Sequence, residues 1–110
     1  MVLSLPLTPE TKGMINLAAM KKMRQKAILI NMSRGGVIRT DDLVDALLQK
    51  IIRGAALDVT DPEPLPAQHP LCHLENCLVV PHIGSATVEC RTLMARIAAE
   101  NIIQFFHDQP

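Results

Sequence analysis

The chain has 110 residues, 48% of them hydrophobic and 20% charged, a composition that suits one packed core and excludes a disordered segment. Eleven Lys and Arg residues balance eleven Asp and Glu residues, and the only aromatic side chains of Phe, Tyr or Trp type are Phe105 and Phe106. A formal net charge of zero without stacking aromatics excludes a basic nucleic-acid-binding protein.

Membrane insertion is also disfavoured by the sequence. No apolar run approaches the roughly 20 residues that cross a bilayer, and the first residues lack the basic, apolar and small-residue order of a signal peptide. The three cysteines, Cys72, Cys77 and Cys90, are an odd number and fit a compartment that keeps thiols reduced. We therefore expect a cytoplasmic protein with no membrane partner.

The first elements in chain order are a short strand and two short helices. Residues 2–5 are an apolar run that predicts the end of a buried strand. Thr8 followed by Pro9 is typical of a helix start, with Thr8 as the N-cap. Asn16 predicts the N-cap of a second short helix over residues 17–23.

Two strands and a longer helix follow. Residues 27–32 are nearly all apolar, as in a strand covered on both faces, and residues 33–36 interrupt them. Thr40 predicts the N-cap of the next helix, Gly54 ends that unit, and residues 55–59 predict a third buried strand. The apolar stripe of the helix consists of Leu43, Val44, Ala46, Leu47, Leu48 and Ile51.

The last third of the chain predicts a loop, a strand and the longest helix. Residues 60–70 contain four of the eight prolines and predict an irregular loop. Residues 78–80 predict a fourth short strand, and residues 87–107 a helix. Its wide apolar face consists of Leu93, Met94, Ile97, Ala98, Ile102, Phe105 and Phe106.

This alternation of strands and helices predicts an α/β fold with a parallel sheet, connected by right-handed crossovers. Ligands of such sheets bind at the carboxyl ends of the strands. In this chain those ends lead into residues 5–8, 33–36, 58–64 and 81–85. Three of the four loops carry an ionisable residue directly after the strand, and this convergence is the strongest functional signal in the pattern.

Arg34, Glu63 and His82 form the candidate catalytic group. A guanidinium offers a fork of donors to a carboxylate, and an imidazole can move a proton near neutral pH. A carboxylate beside the imidazole fixes its tautomer. Together they suit a 2-oxo acid, with the acid group held by Arg34 and the carbonyl oxygen protonated by His82. Taken singly, each has a structural alternative: a guanidinium that satisfies backbone carbonyls, a structural histidine, and an exposed loop charge.

Four ordered motifs also resemble a known family. They are Ser-Leu-Pro-Leu-Thr-Pro-Glu-Thr at residues 4–11, Asn-Met-Ser-Arg-Gly-Gly at residues 31–36, Leu-Asp-Val at residues 57–59 with Glu63-Pro64, and Pro-His-Ile-Gly-Ser-Ala-Thr at residues 81–87. The chain resembles the later part of a D-isomer-specific 2-hydroxyacid dehydrogenase. Within that family, Glu-Pro-Leu-Pro followed by His-Pro-Leu is most similar to glyoxylate/hydroxypyruvate reductases.

The resemblance implies a role for particular residues. Arg34 would bind the 2-oxo acid, His82 would be the acid/base, Glu63 would pair with it, and Asp58 would contact the nicotinamide carboxamide. The NAD or NADP cleft would be lined by Leu5, Pro6, Thr8, Met32, Ser33, Arg34, Asp58, His82, Gly84 and Ser85. Residues 1–86 would be the second half of a Rossmann-like NAD(P)-binding domain, and residues 87–110 a helix returning to the substrate domain.

The sequence departs from the family pattern in its glycines. Gly13, Gly35, Gly36, Gly54 and Gly84 do not form the GxGxxG that cradles a pyrophosphate, so the phosphate-binding half of the cofactor site is absent from this chain. The preference for NAD or NADP is therefore not encoded here. A zinc site at His69, Cys72, His73 and Cys77 is disfavoured by the spacing, and we expect no metal.

The same resemblance predicts self-association. The first strand would lack its usual inner neighbour, and the Leu93, Ile97, Ile102 and Phe105 face of the long helix would lack a partner. We expect a homo-oligomer, specifically a dimer formed by edge pairing or by exchange of the helix. The alternative function is a catalytically inactive truncated module that associates with a homologue or another protein.

Overall fold

The computed structural model describes residues 1–107, which form an α/β fold built on one parallel sheet. Its strands are β1 (Val2–Leu3), β2 (Ile28–Asn31), β3 (Gly54–Leu57) and β4 (Cys77–Val79). They lie side by side in chain order, and every pairing is parallel. The predicted fold class is confirmed, and each strand lies within two residues of its expected bounds.

Three helices accompany the sheet: α1 (Leu17–Lys21), α2 (Thr40–Leu48) and α3 (Val88–His107). Short 3₁₀ turns span Gly35–Val37 and Pro70–Cys72. The predicted cap of α1 is confirmed, because the Asn16 side chain accepts a hydrogen bond from the amide of Ala19 at 2.9 Å. The Asp42 carboxylate, in the first turn of α2, accepts from the Leu17 amide at 2.9 Å and so joins the two helices.

The helix expected to begin at Thr8 does not form. The chain makes a single turn in which the Lys12 amide donates to the Thr8 carbonyl at 2.9 Å. The helix does not continue, because the next residues bond to a different segment. The Gly13 amide donates to the Gly36 carbonyl at 2.8 Å, and Ile15 forms a parallel bridge with Ile38. Gly13 has a φ of +63°, a left-handed conformation that ends the turn.

The cap predicted at Thr40 is also wrong. Arg39 occupies the N-cap position of α2 without a capping side-chain bond, and Thr40 is already helical. The Thr40 hydroxyl donates to the Asp61 carbonyl at 2.7 Å. A tertiary partner 21 residues away has therefore replaced the local capping interaction.

The core lies between the sheet and the two shorter helices. From α2 it takes Leu43, Ala46 and Leu47, and Ile52 adds a fully buried side chain that the predicted stripe did not include. Leu48, predicted to be part of that stripe, is 60% exposed. The complete cluster is Leu3, Ile15, Met20, Leu29, Val37, Ile38, Leu43, Ala46, Leu47, Ile52, Ala55, Leu57 and Leu71.

The long helix α3 lies outside this core and buries none of its residues. Its predicted apolar face is exposed, with Leu93 and Ile97 each 46% and Phe105 60% accessible. Residues 108–110, included in the predicted C-terminal segment, lie outside the described residues. Among the helices of residues 1–107, none combines the length and the hydrophobicity that a bilayer crossing requires.

Two adjacent leucines of α2 test this assignment of the core. Leu47 is 1% exposed, so Leu47→Ala leaves a cavity, and we expect the free energy of unfolding to fall by about 3 kcal/mol. Leu48→Ala is the matched control, because Leu48 projects into solvent, and its effect should stay within about 0.5 kcal/mol. Urea unfolding followed by circular dichroism measures both. Equal losses in the two variants would contradict the orientation of α2.

Candidate functional site

The candidate site lies where the four strands end. The loops that follow β1, β2, β3 and β4 leave the same edge of the sheet, since all four strands run parallel. Arg34 follows β2, Asp58 and Glu63 follow β3, and His82 follows β4. The three ionisable loops singled out in the sequence are therefore consecutive neighbours at one edge.

Glu63 and His82 form a direct pair. His82 Nδ1 and Glu63 Oε1 are 2.6 Å apart, and Glu63 Oε2 accepts a hydrogen bond from the Thr60 amide at 3.2 Å. These two hydrogen bonds, His82 first, lower the pKa of the Glu63 carboxyl, and the charge of Arg34 adds to the effect. An ionised Glu63 accepts a hydrogen bond from the protonated Nδ1, which leaves Nε2 as the nitrogen that can exchange a proton with a ligand.

The backbone around His82 is unusual. Its φ is +54°, a left-handed conformation that non-glycine residues seldom adopt. The His82 amide donates to the Val80 carbonyl at 3.1 Å, which closes a three-residue turn with Pro81 at its centre. The fixed φ of proline suits that central position. The turn redirects the chain directly after β4 and places the imidazole beside Glu63.

The Arg34 loop is held by Asn31, the last residue of β2. Asn31 is fully buried; its Oδ1 accepts from the Ser33 amide at 3.1 Å and the Ser33 hydroxyl at 2.8 Å, and its Nδ2 donates to the Arg34 carbonyl at 3.0 Å. The Arg34 guanidinium donates through Nη1 to the Ser33 carbonyl at 2.6 Å. Asn31 was not among the predicted site residues, although a lone polar residue at the end of an otherwise apolar strand is a signal that could have indicated it.

Gly35 brings the Arg34 loop against the Glu63 loop. A Cβ at residue 35 would lie 2.0 Å from both the carbonyl carbon and the carbonyl oxygen of Thr60. Only glycine permits this approach without displacing the backbone. The sequence predicted Gly35 as part of the segment that interrupts a strand, but not as the contact that brings the Arg34 loop against the loop that carries Glu63.

Asp58 connects the end of β3 to the turn that follows His82. Its carboxylate is almost buried, at 8% exposure. Oδ1 accepts from the Ile83 amide at 2.7 Å, and the Gly84 amide donates to Oδ1 at 3.1 Å and Oδ2 at 3.0 Å. The cofactor contact that the resemblance implies for Asp58 stays a prediction, and within residues 1–107 the carboxylate accepts its hydrogen bonds from the protein backbone.

Two cavities divide most of the predicted site residues between them. A cleft of about 560 Å³ is lined by Leu5, Pro6, Ser33 and Arg34, together with Ser4 and Leu7. A second cavity of about 670 Å³ includes Asp58, Glu63 and His82 in its wall.

The remaining predicted residues lie around these cavities. The Met32 methyl group reaches the space beside Gly84, where an added Cβ would be 2.8 Å from it. Thr8 and Ser85 line neither cavity, and the Thr8 hydroxyl lies 3.3 Å from that of Thr11. Among residues 1–107, no three His, Cys, Asp or Glu side chains gather as metal ligands would. The arrangement suits an organic acid and proton transfer.

Comparisons with known proteins point the same way. The family model of the D-isomer specific 2-hydroxyacid dehydrogenase NAD binding domain matches residues 1–84. The glyoxylate reductase/hydroxypyruvate reductase of Homo sapiens is 47% identical over 109 residues, 99% of this chain and 33% of that protein. The glyoxylate reductase of Thermofilum pendens is 51% identical over 98 residues, 89% of this chain and 29% of that protein.

Solved structures agree with the sequence relatives. The TT0316 protein from Thermus thermophilus superimposes with a TM-score of 0.87 at 48% identity, over 93% of this chain and 32% of that one. A D-isomer specific 2-hydroxyacid dehydrogenase from Xanthobacter autotrophicus Py2, in complex with NADPH and MES, superimposes with a TM-score of 0.84. The identity is 39%, over 99% of this chain and 44% of that one. The chain spans about a third of the length of the curated relatives it matches.

Gly35 and Gly36 provide a matched test of the loop contact. Gly35→Ala forces the Arg34 and Glu63 loops apart, and we expect the free energy of unfolding to fall by about 3 kcal/mol. Gly36→Ala brings its Cβ only to 3.1 Å from Leu7 Cδ2, which can move, so about 1 kcal/mol or less is expected. Urea unfolding of both variants measures the difference. A loss at Gly35 no larger than at Gly36 would contradict the contact.

Proposed function

The chain belongs to the D-isomer specific 2-hydroxyacid dehydrogenases, in their NAD-binding domain, and from this membership we propose that it carries the catalytic residues of an NAD(P)-dependent reductase. The reaction is the reduction of a small 2-oxo acid, of the glyoxylate or hydroxypyruvate kind, to the D-2-hydroxy acid. The observation that carries the proposal is the 2.6 Å pair of His82 and Glu63 beside the Arg34 loop.

The three side chains divide the work. Arg34 pairs with the carboxylate of the 2-oxo acid, since a guanidinium matches the two oxygens of that group. His82, with a proton on each ring nitrogen, donates the Nε2 proton to the carbonyl oxygen, which becomes the hydroxyl of the product, and is left as the neutral Nδ1–H tautomer. Glu63, ionised and bonded to Nδ1, keeps the imidazole in that orientation and tautomer.

The cofactor proposal rests on the cleft at the carboxyl ends of β1 and β2. Leu5, Pro6, Ser33 and Arg34 line an open space of about 560 Å³ at the edge where such sheets bind nucleotides. A bound NADH or NADPH would supply the hydride that reaches the carbonyl carbon. The residues present suit the nicotinamide end, and no GxGxxG for the pyrophosphate occurs in the chain.

The division of the chain and its location complete the proposal. Residues 1–86 form the second half of the nucleotide-binding domain, supported by the family match over residues 1–84, and residues 87–110 are the C-terminal segment that would return to the substrate domain. The protein acts in the cytoplasm, which is consistent with the free thiols of Cys72, Cys77 and Cys90.

Turnover of the chain tests the catalytic assignment. Oxidation of NADH and NADPH is followed with glyoxylate and with hydroxypyruvate, and His82→Ala should lower kcat by about 100-fold or more, since the proton donor is lost. His107→Ala removes an exposed imidazole from α3 and should leave turnover unchanged. Turnover of His82→Ala equal to that of the parent would contradict the role of His82.

Cofactor binding separates this function from a second candidate. Fluorescence titration should show saturable binding of NADH or NADPH; no binding at millimolar cofactor would instead favour a catalytically inactive module acting through protein association. The observation behind that candidate is α3, whose large apolar side chains are all at least 46% exposed. The outer edge of β1, which pairs only with β2 among the strands of residues 1–107, adds an open sheet edge.

For either function we propose that the chain forms a dimer. Sedimentation equilibrium should give a mass that rises with concentration from 12.1 kDa toward twice that value. Phe105→Asp should weaken association by placing a charge in the apolar face of α3, whereas Leu48→Asp, on the exposed side of α2, should not. A concentration-independent monomer would contradict the dimer, and association unaffected by Phe105→Asp would assign it to the β1 edge.

A further inference from the structure

The carboxylate of Asp58 holds the backbone on the far side of His82. It lies at the end of β3, almost buried, and accepts hydrogen bonds from the amides of Ile83 and Gly84 at 2.7 to 3.1 Å. These are the two residues that follow His82. Because the Asp58 backbone is itself anchored, its amide donating to the Asn31 carbonyl at 3.0 Å, the carboxylate is a fixed point to which the turn is attached.

The conformation of His82 requires such a fixed point. Its φ of +54° is strained for a residue with a Cβ, and conformations of this kind persist only where the surroundings impose them. On the preceding side, the His82 amide is bonded to Val80 at 3.1 Å. On the following side, the backbone is held by the hydrogen bonds that the Ile83 and Gly84 amides donate to the Asp58 carboxylate.

Gly84 shows how closely the turn approaches that carboxylate. A Cβ at residue 84 would lie 2.8 Å from Asp58 Oδ2 and 2.8 Å from the Met32 methyl carbon. The absence of a side chain at this position lets the amide reach the carboxylate. Asp58 and Gly84 therefore act as the two halves of one contact.

We propose that Asp58 is a positioning residue for His82. Its carboxylate holds the Ile83–Gly84 backbone, and this contact keeps His82 in the left-handed conformation in which Nδ1 meets Glu63. The proposal rests on the proposed acid/base function of His82 and assigns to Asp58 a role beyond the cofactor contact that the family resemblance implies. The two roles are compatible, because carboxylate oxygens have further lone pairs.

The ring nitrogens of His82 report on the position directly. In long-range ¹H–¹⁵N correlation spectra of the full chain, the parent should show His82 as the Nδ1–H tautomer in its neutral form, because the Glu63 carboxylate accepts a hydrogen bond from Nδ1–H. Asp58→Asn can place an amide N–H donor opposite the N–H donor of Gly84, and two donors cannot bond to each other. The turn should therefore shift, and His82 should lose this tautomer preference. Asp45→Asn, which removes the same charge from an exposed site on α2, should leave the His82 signals unchanged.

A second variant keeps the test decisive if Asp58→Asn does not fold. Gly84→Ala leaves the carboxylate in place and pushes the turn away from it by the added Cβ, and the same loss of the Nδ1–H tautomer is expected. Parental His82 signals in a folded Asp58→Asn protein, or in a folded Gly84→Ala protein if Asp58→Asn does not fold, would overturn the proposal.

Kinetics separate positioning from substrate binding and from the proposed function itself. Asp58→Asn should lower kcat by about tenfold to 100-fold, the cost of a displaced proton donor, while the KM for the 2-oxo acid changes less than about twofold, because the Arg34 loop is untouched. A rise in KM at constant kcat would overturn the positioning role. If the parent chain shows no turnover, the proposed function fails, and the tautomer spectra still decide the role of Asp58.

Discussion

The parallel pairing of β2 with β3 is the constraint on which the candidate site depends. Asn31 lies opposite Leu57 at the last paired position, so the Arg34 loop and the loop that carries Asp58 and Glu63 leave the sheet side by side. The two loops can lie this close only because residue 35 is a glycine, since a Cβ there would collide with the Thr60 carbonyl group. β4 extends the same edge, with Val79 opposite Leu57, and brings His82 to the neighbouring position. The geometry of the candidate catalytic group follows from register and from the missing Cβ atoms of Gly35 and Gly84.

Polar side chains are buried at this edge without leaving an unsatisfied atom. Asn31, Ser33 and Asp58 are the buried polar residues among those described, and each is bonded to backbone or to its neighbour. A buried polar group with its partners in place stabilises one conformation strongly, because every alternative leaves a donor or acceptor without water. Asn31 and Asp58 thus constrain the Arg34 and His82 loops respectively. In contrast, the side chains of Glu63 and His82 remain 40% and 47% exposed, so a ligand can reach this pair.

Much of the fold was predictable because it follows from patterns that act locally. Continuous apolar runs located β2 and β3, and Asn16 located the start of α1 through an i to i+3 bond. The errors arose where a distant partner decided the outcome, as at Thr40, whose hydroxyl bonds to Asp61, and after Thr8, where Gly13 bonds to Gly36. The places of Arg34, Glu63 and His82 at one edge of the sheet were predictable from their positions after strands. The hydrogen bonds by which Asn31 holds the Arg34 loop were not predictable, and neither was the contact between Asp58 and Gly84. Both depend on close approaches in three dimensions that the spacing of residues along the chain does not encode.

The exposed apolar side chains of α3 determine how strongly two copies of the chain are expected to associate. Eight large apolar side chains on the helix are at least 46% exposed: Val88, Leu93, Met94, Ile97, Ile102, Ile103, Phe105 and Phe106. The remaining exposed surface of these residues corresponds to roughly 20 kcal/mol on each chain at about 25 cal/mol per Å². One partner can cover only part of it, because the residues are distributed around the helix, and association costs about 4–15 kcal/mol in translational and rotational freedom, with side-chain ordering in addition. Only the surplus appears as affinity, so pairing through α3 favours a concentration-dependent dimer. Because none of the hydrogen bonds described for Arg34, Glu63 and His82 involves α3, such an exchange between monomer and dimer leaves the candidate catalytic group intact.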